Sequence, residues 1–430
     1  MKCYFITLGC KVNQYESQVT MELLWKHGYQ PAEQEAEADV ILVNSCTVTA
    51  TSDQKVRQTV RRVRRNHPHA IIVLTGCMPQ AFPDCASRLP EADIITGNAR
   101  RQILPELIQQ YLSRRQQIVD IPGHMETESF EPMQVADFHE KTRAFVKIED
   151  GCNRFCSYCI IPMARGRVRS KPLDEISAEL QGLANAGYRE VVLVGINLPA
   201  YGQDLGLELC DAVETACSVE GLERIRLGSL EPDRLTGDVI ARMAAQPKLC
   251  PQFHLSLQSG CDNTLRAMNR HYTADEYREL VKKLRSRING CSITTDVMVG
   301  FPGESEADFQ ASLAFVEEIA FAKAHVFAYS RRPGTVADRM DGQVPQKEKE
   351  RRSHLMMQAV AKTRAAFLDE QTGNNYNVLF ETGHNGIYEG YTENYTPVRV
   401  ESEKSLQGQI GRVRIDGNDG DACFGTLLPY

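Results

Sequence analysis

Three cysteines fall within the nine residues of GCNRFCSYC (151–159), spaced as Cys152, three residues, Cys156, two residues, Cys159. Thiols clustered in a polar loop point to metal. Structural zinc takes four protein ligands in a closed tetrahedron, and a cubane iron–sulfur cluster normally takes four cysteines. The loop offers no histidine and no fourth cysteine. Three ligands on a cubane would leave one iron open to bind something else. Three unligated core cysteines fit poorly, because Asn153, Arg154 and Ser157 make the stretch polar.

A second set of three is dispersed. TLGC, VNSC and LTGC place Cys10, Cys46 and Cys77 directly after three successive apolar runs. In an open parallel sheet the ends of such strands converge on one carboxyl edge, where ligands bind. Thiols far apart in sequence then become neighbours. The alternative is three ordinary buried cysteines, since free cysteine is often buried. Cys3, Cys85, Cys210, Cys217, Cys250, Cys261, Cys291 and Cys423 follow no such pattern and are read as structural.

The elements that must position these residues are legible as apolar rhythm. The runs YFITL, VILVN, AIIVLTG and DIITG alternate with helical stretches over residues 1–116. Continuous β-branched runs between helices predict an open parallel α/β domain covered on both faces. Residues 117–140 lose the rhythm, carry Pro122, Gly123 and Pro132, and read as a linker. Over 141–368 the alternation restarts, with strand-like runs at 144–148, 191–195, 224–228, 253–257, 293–300 and 324–329. About six β/α units are fewer than the eight of a closed barrel, so a partial (β/α)6 barrel is expected. Residues 369–430 have short alternating strands with Gly and Asn turns, the pattern of a small antiparallel β-barrel. The fold class is therefore α/β with three parts, as a length of 430 residues suggests.

Composition excludes some classes. No apolar run reaches the ~18 residues of a membrane helix, and MKCYFITLGC has too short an apolar stretch for a signal peptide. A cytoplasmic protein without a membrane partner is expected, and in a reducing compartment clustered cysteines bind metal or do chemistry. The net charge of −7 gives no general attraction to nucleic acid, so any RNA contact needs a local basic patch.

Cys152-x3-Cys156-x2-Cys159 after the first barrel strand resembles the radical S-adenosylmethionine superfamily, and Tyr158 before the third cysteine matches its pattern. The resemblance implies a [4Fe–4S] cluster whose open iron binds the amino and carboxyl groups of S-adenosylmethionine. One electron would then release a 5′-deoxyadenosyl radical. With a second three-cysteine site before it and a small barrel after it, the chain resembles the methylthiotransferase family over nearly its whole length. That resemblance implies a second [4Fe–4S] cluster holding the sulfur to be inserted, and a terminal RNA-binding barrel of the TRAM type. It further implies a tRNA substrate, an electron donor and a sulfur source. No catalytic residue beyond the cluster ligands is implied. TLGCKVNQYES and NSCTVTATSDQKVRQTVRRVRRNHP resemble the branch acting on threonylcarbamoyladenosine in tRNA, at carbon 2 of the adenosine 3′ of the anticodon. The branch acting on isopentenyladenosine usually has Gln–Met where Lys11 and Val12 stand. The sequence departs from the first branch at Met78-Pro79 and at Gly228. A ribosomal-protein substrate within the family, or a non-catalytic iron–sulfur carrier, are the rival readings.

By the same resemblance Gly195 and Asn197 line the S-adenosylmethionine pocket; GINLPAYG also reads as a plain strand-ending turn. Ser229, Glu231, Gln258 and Ser259 end the third and fourth strands, where polar groups can bond a ribose or an amino acid moiety. Arg331 and Arg332 after the sixth strand could meet a phosphate or a carboxylate, or stand on the surface. KVRQTVRRVRR (55–65) puts Val56, Val60 and Val63 on one helical face and Arg57, Arg61 and Arg64 on another. RGRVRSK adds Arg165 and Arg167. Both stretches follow a cysteine site and are candidates to hold RNA phosphates. The terminal barrel has four Lys/Arg against eight Asp/Glu from Gln371 to Tyr430, so RNA binding there would rest on base stacking by Tyr376, Tyr388, Tyr391 and Tyr395.

Overall fold

The computed structural model describes residues 1–125, 128–138 and 142–429. Its N-terminal part is a six-stranded, wholly parallel sheet in the order β2-β1-β3-β4-β5-β6. The strands are β1 (Lys2–Thr7), β2 (Gln30–Pro31), β3 (Val40–Ser45), β4 (Ile71–Gly76), β5 (Ile94–Thr96) and β6 (Ile118–Asp120). Helices α1 (Lys11–Lys26), α2 (Ala50–Asn66), α3 (Cys77–Ala81), α4 (Cys85–Arg88) and α5 (Leu104–Arg114) connect them. Successive side chains of a strand point to opposite faces. Ile41, Val43, Ile72 and Leu74 thus pack on Val56, Val60 and Val63 of α2. Leu42, Ile71 and Val73 pack on Leu24 of α1 and on Leu104 and Ile108 of α5. The Val stripe of α2 is fully buried, and each such side chain is worth about 1.5–3 kcal/mol.

The central part is an open barrel. Its strands are β7 (Arg143–Lys147), β10 (Glu190–Val194), β11 (Arg224–Leu227) continuing as β12 (Ser229–Leu230), β13 (Gln252–Leu255), β14 (Ser292–Val299) and β15 (Lys323–Ala328). All pairs are parallel. The third strand breaks at Gly228, so β11 pairs with β10 while β12 pairs with β13. Among the described residues β15 and β7 do not pair, and the barrel stays open. A short antiparallel pair, β8 (Glu149–Asp150) and β9 (Arg169–Ser170), brackets the cysteine loop and α6 (Ile161–Arg165). The outer helices are α7 (Leu173–Asn185), α8 (Leu209–Ser218), α9 (Gly237–Ala244), α10 (Asp262–Ala267), α11 (Ala274–Arg287) and α12 (Glu306–Ile319). Capping boxes open α11 at Thr273/Glu276 and α12 at Ser305/Asp308, each satisfying two orphan backbone donors.

The stretch expected as a linker is a packed strap, apart from 126–127 and 139–140, which lie outside the described residues together with Lys141, the expected start of the barrel. Its start is the edge strand β6. Phe130, Met133, Val135 and Phe138 are buried, and Val135 N donates to Glu179 at 2.8 Å. Isolated apolar anchors hold it, which no periodic pattern announces.

After α13 (Gln346–Asp369), the strands β16 (Asn375–His384), β17 (Ile387–Tyr391), β18 (Pro397–Glu401), β19 (Ile410–Asn418) and β20 (Cys423–Leu427) close a barrel around Val378, Phe380, Val398, Val413 and Ile415. One pair, β18–β20, is parallel, because β19 intervenes in the chain; the other pairs are antiparallel as expected. This barrel seats on the foot of the central one. Arg226 donates to the carbonyls of Thr392 and Glu393, each at 2.7 Å, and Arg143 pairs with Glu381 at 2.8 Å. The tyrosines expected to stack on bases are committed elsewhere. Tyr391 and Tyr395 stack on each other at 4.4 Å, with Arg143 over both rings and Arg226 over Tyr395. Tyr376 and Tyr388 pack on the barrel core.

Candidate active site

The dispersed cysteines meet at the carboxyl edge of the N-terminal sheet. Cys10 is the N-cap of α1, and Asn13 Oδ1 accepts from its backbone N–H and its thiol, each at 3.3 Å. Gly9 permits this with φ +137°; a Cβ there would lie 3.0 Å from Cys46 Cβ and 2.5 Å from Asn13 Oδ1. Only glycine lets the two loops approach so closely. Burial, then the charges of Cys77 and Cys10, pushes the Cys46 thiol up to about 11. Burial raises the Cys10 thiol too, against the pull of Arg165. The three sulfurs thus share one electrostatic environment. Among the described residues no three His, Cys, Asp or Glu side chains converge as ligands of one metal ion. Cubane ligands bind separate iron corners, and three cysteines ringing a loop edge suit that larger group.

The local triplet lies at the carboxyl end of β7. Burial and then the Cys156 charge raise the Cys159 thiol to about 12, and burial raises Cys152 to about 12. Arg270 Nη1 stands 3.5 Å from Cys156 Sγ and pairs with Glu231 through both nitrogens at 3.1 and 2.5 Å. Tyr158 packs edge-on against Phe301, centroids 6.4 Å apart. Nothing local in the sequence marks Arg270, because its partners lie 114 and 39 residues away.

Beside this triplet the strand ends carry polar atoms without partners. Glu149 Oε1, Asn197 Oδ1 and Gln258 Oε1 are buried and unbonded. An unpaired buried acceptor costs about 1–3 kcal/mol, so a ligand with amine and hydroxyl donors suits the position. Asn197 N donates to Glu149 Oε2 at 2.7 Å, and a Cβ on Gly195 would lie 2.6 Å from that same oxygen. Burial lifts the Glu149 carboxyl to about 8. Ser229 is exposed beside His254 of the next strand. Glu231 is engaged by Arg270, and Ser259 Oγ accepts from Cys261 N at 3.2 Å. Glu149, Arg270 and Asn13 join the site unforeseen.

A buried ion network joins the two cysteine sites. Glu16 of α1 accepts from Lys147 at 2.9 Å and from Arg165 Nη2 at 3.0 Å, and forms an ion pair with Arg101 at 3.0 Å. Lys147 also pairs with Asp150 at 2.6 Å, two residues before Cys152. Arg165 Nε donates to Cys77 Sγ at 3.3 Å. Burial would raise the Glu16 carboxyl, but Arg101, Arg165 and Lys147 hold it down at about 2. Arg332 adds a second strut, bonding Thr47 at 2.7 Å and Asp53 at 2.8 Å, directly after Cys46.

These contacts correct the basic-residue expectations. Arg165 is fully buried and cannot meet a phosphate. Arg64 is turned onto the sheet end, bonding Asp93 at 2.5 Å and the carbonyls of Pro68 and Ala70 at 3.0 Å. Arg57 has no side-chain partner among the described residues, Arg61 pairs weakly with Glu91 at 3.4 Å, and Arg167 is exposed with its guanidinium over Phe155. Arg331 pairs with Asp338 at 2.9 Å.

Residues 2–97 match an uncharacterized protein family, UPF0004, and residues 146–316 match the radical SAM superfamily. The threonylcarbamoyladenosine tRNA methylthiotransferase MtaB of Bacillus subtilis is 36% identical over 420 residues, covering 96% of this chain and 93% of that protein. The tRNA-2-methylthio-N(6)-dimethylallyladenosine synthase of Pelotomaculum thermopropionicum is 36% identical over 432 residues, covering 97% and 96%. Identity therefore does not separate these two substrates. The structure of TsrM, a radical S-adenosylmethionine methyltransferase from Kitasatospora setae, aligns with TM-score 0.59 at 15% identity, covering 78% of this chain and 74% of that one. At that identity the likeness is one of fold.

Proposed function

The chain belongs to the radical S-adenosylmethionine methylthiotransferases that act on tRNA, and from that membership we propose that it adds a methylthio group to carbon 2 of N6-threonylcarbamoyladenosine at tRNA position 37, using two [4Fe–4S] clusters. The observation that carries the two-cluster reading is the pair of three-cysteine sites, each short of one ligand, bridged by the Glu16–Arg165 network. The substrate reading is supported by TLGCKVNQYES and by the names of relatives such as MtaB of Bacillus subtilis.

Cys152, Cys156 and Cys159 would hold the radical cluster, and Cys10, Cys46 and Cys77 the second. One-electron cleavage of S-adenosylmethionine and delivery of sulfur are the chemistry these groups supply when bound. The chain's own residues do the rest. Glu149, Asn197 and Gln258 offer acceptors for the cofactor's amine and hydroxyls, with Gly195 leaving room and Tyr158 flanking the cluster loop. Ser229 opens onto the space left for substrate. Glu231 serves indirectly, by fixing Arg270 against Cys156. Arg165 and Arg332 keep the two sites in register.

Nucleoside mass spectrometry of tRNA from a deletion strain tests the substrate: the threonylcarbamoyl product should lose its methylthio group and regain it on complementation. Retention there, with loss from the dimethylallyl nucleoside, would reassign the substrate. Anaerobic reconstitution should give about eight irons per chain, since each cubane holds four. A non-catalytic carrier would leave S-adenosylmethionine uncleaved.

A further inference from the structure

Most buried cations of this protein have a carboxylate: Arg101, Lys147 and Arg165 share Glu16, Arg226 takes Glu190, Arg270 takes Glu231 and Arg332 takes Asp53. Lys11 is different. It opens α1 directly after Cys10 and is accessible. Among the described residues its ammonium has no ion pair and no side-chain hydrogen bond. It lies within electrostatic reach of Arg143 and Arg226 at the foot of the open barrel, and of Glu190 and Cys10. The lysine therefore stands in the space between the N-terminal cysteine site and the barrel, contributed by one domain and surrounded by groups of the other.

The charges around it do not cancel. Glu190 is the nearby carboxylate, and it is already shared by Arg226 Nε at 2.6 Å and Arg224 at 3.4 Å. Arg143 is taken by Glu381 and by the stacked tyrosines. Glu190 and Glu381 are both committed to arginines, and of the cations gathered here Lys11 alone has no ion pair among the described residues. Such a place attracts an anion that arrives from outside. Threonylcarbamoyladenosine carries a free α-carboxylate on its threonyl group; a dimethylallyl group carries none.

We propose that Lys11 is the counter-ion for the carboxylate of the substrate nucleoside and thereby a determinant of substrate choice. This rests on the substrate reading above. The bond is an N⁺–H···O⁻ contact with no covalent step, and its loss should weaken binding without touching the chemistry of the clusters.

The test uses the full, reconstituted chain and two anticodon stem-loop RNAs, one with the free threonyl carboxylate and one with its methyl ester. Wild type should bind and turn over the acid at least tenfold better than the ester. Lys11→Gln should raise KM and Kd for the acid tenfold or more, leave the ester nearly unchanged, and keep full iron content and cluster absorption. Lys11→Arg should retain most of the preference. Equal loss on both RNAs, or none on either, overturns the role of Lys11 while the substrate reading stands. No turnover of the acid RNA by wild type overturns both. If Lys11→Gln does not fold, an absent acid-over-ester preference in wild type still refutes the proposal.

Discussion

At the scale of the residue, two kinds of information separate. The six cysteines proposed as cluster ligands stand out in the sequence because metal chemistry demands a residue type at a spacing or at a repeated strand end. Glu149, Arg165 and Arg270 are not, because their partners are distant in sequence and their roles follow from burial. The cysteines yield a paired prediction. Cys156→Ala should leave about four irons per chain and abolish S-adenosylmethionine cleavage; Cys46→Ala should also leave about four but still cleave. Iron assays with single-turnover cleavage read both. Glu149 yields another. Its carboxyl, normally near 4.5, is raised to about 8 by burial. Between those values the folded chain keeps a proton that the unfolded chain gives up. Folding is then penalised progressively as pH rises through the window, by about 1.4 kcal/mol per unit at most. Thermal melts of Glu149→Gln against wild type should therefore diverge in the variant's favour from pH 5 to 8. Curves that stay parallel would show the carboxyl ionised in the fold.

At the scale of the element, strands and helices follow from the sequence wherever the period is clean: the β-branched runs gave parallel strands, and the Val56, Val60, Val63 stripe faced the sheet. The strap over 117–125 and 128–138 escaped notice because Phe130, Met133, Val135 and Phe138 sit at no regular interval. The positioning of α6 also escaped, since its arginine in RGRVRSK resembles a surface charge. Arg165 instead ties α6 to α1 through Glu16 and to α3 through Cys77. Breaking one partner of a buried ion cluster costs about 3–5 kcal/mol, because the others remain desolvated and unpaired. Arg165→Met should lower the melting temperature of the metal-free chain clearly. Glu16→Gln should do so too, and the double variant Arg165→Met/Glu16→Gln should lose less than the sum. Strict additivity of the two would deny that they act as one network.

At the scale of the whole molecule, a chain of net charge −7 must still hold a polyanion. The terminal barrel contributes net negative charge and spends Tyr391 and Tyr395 on its seam with Arg143 and Arg226. The burden shifts to the outer face of α2, where Arg57, Arg61 and Arg65 recur every four residues and where Lys55, Arg61, Arg62 and Arg65 line one shallow depression. Arg64 does not belong to this row, being held by Asp93. Each phosphate neutralised contributes about 0.7–0.9 to the slope of log affinity against log salt. Binding of a tRNA anticodon stem-loop, titrated from 50 to 200 mM salt, should lose about 1.4–1.8 of that slope in Arg57→Gln/Arg61→Gln. Arg64→Gln should keep the wild-type slope and lose stability instead. If the double variant keeps the slope, the phosphates lie against another face of the molecule and α2 is an ordinary solvated helix.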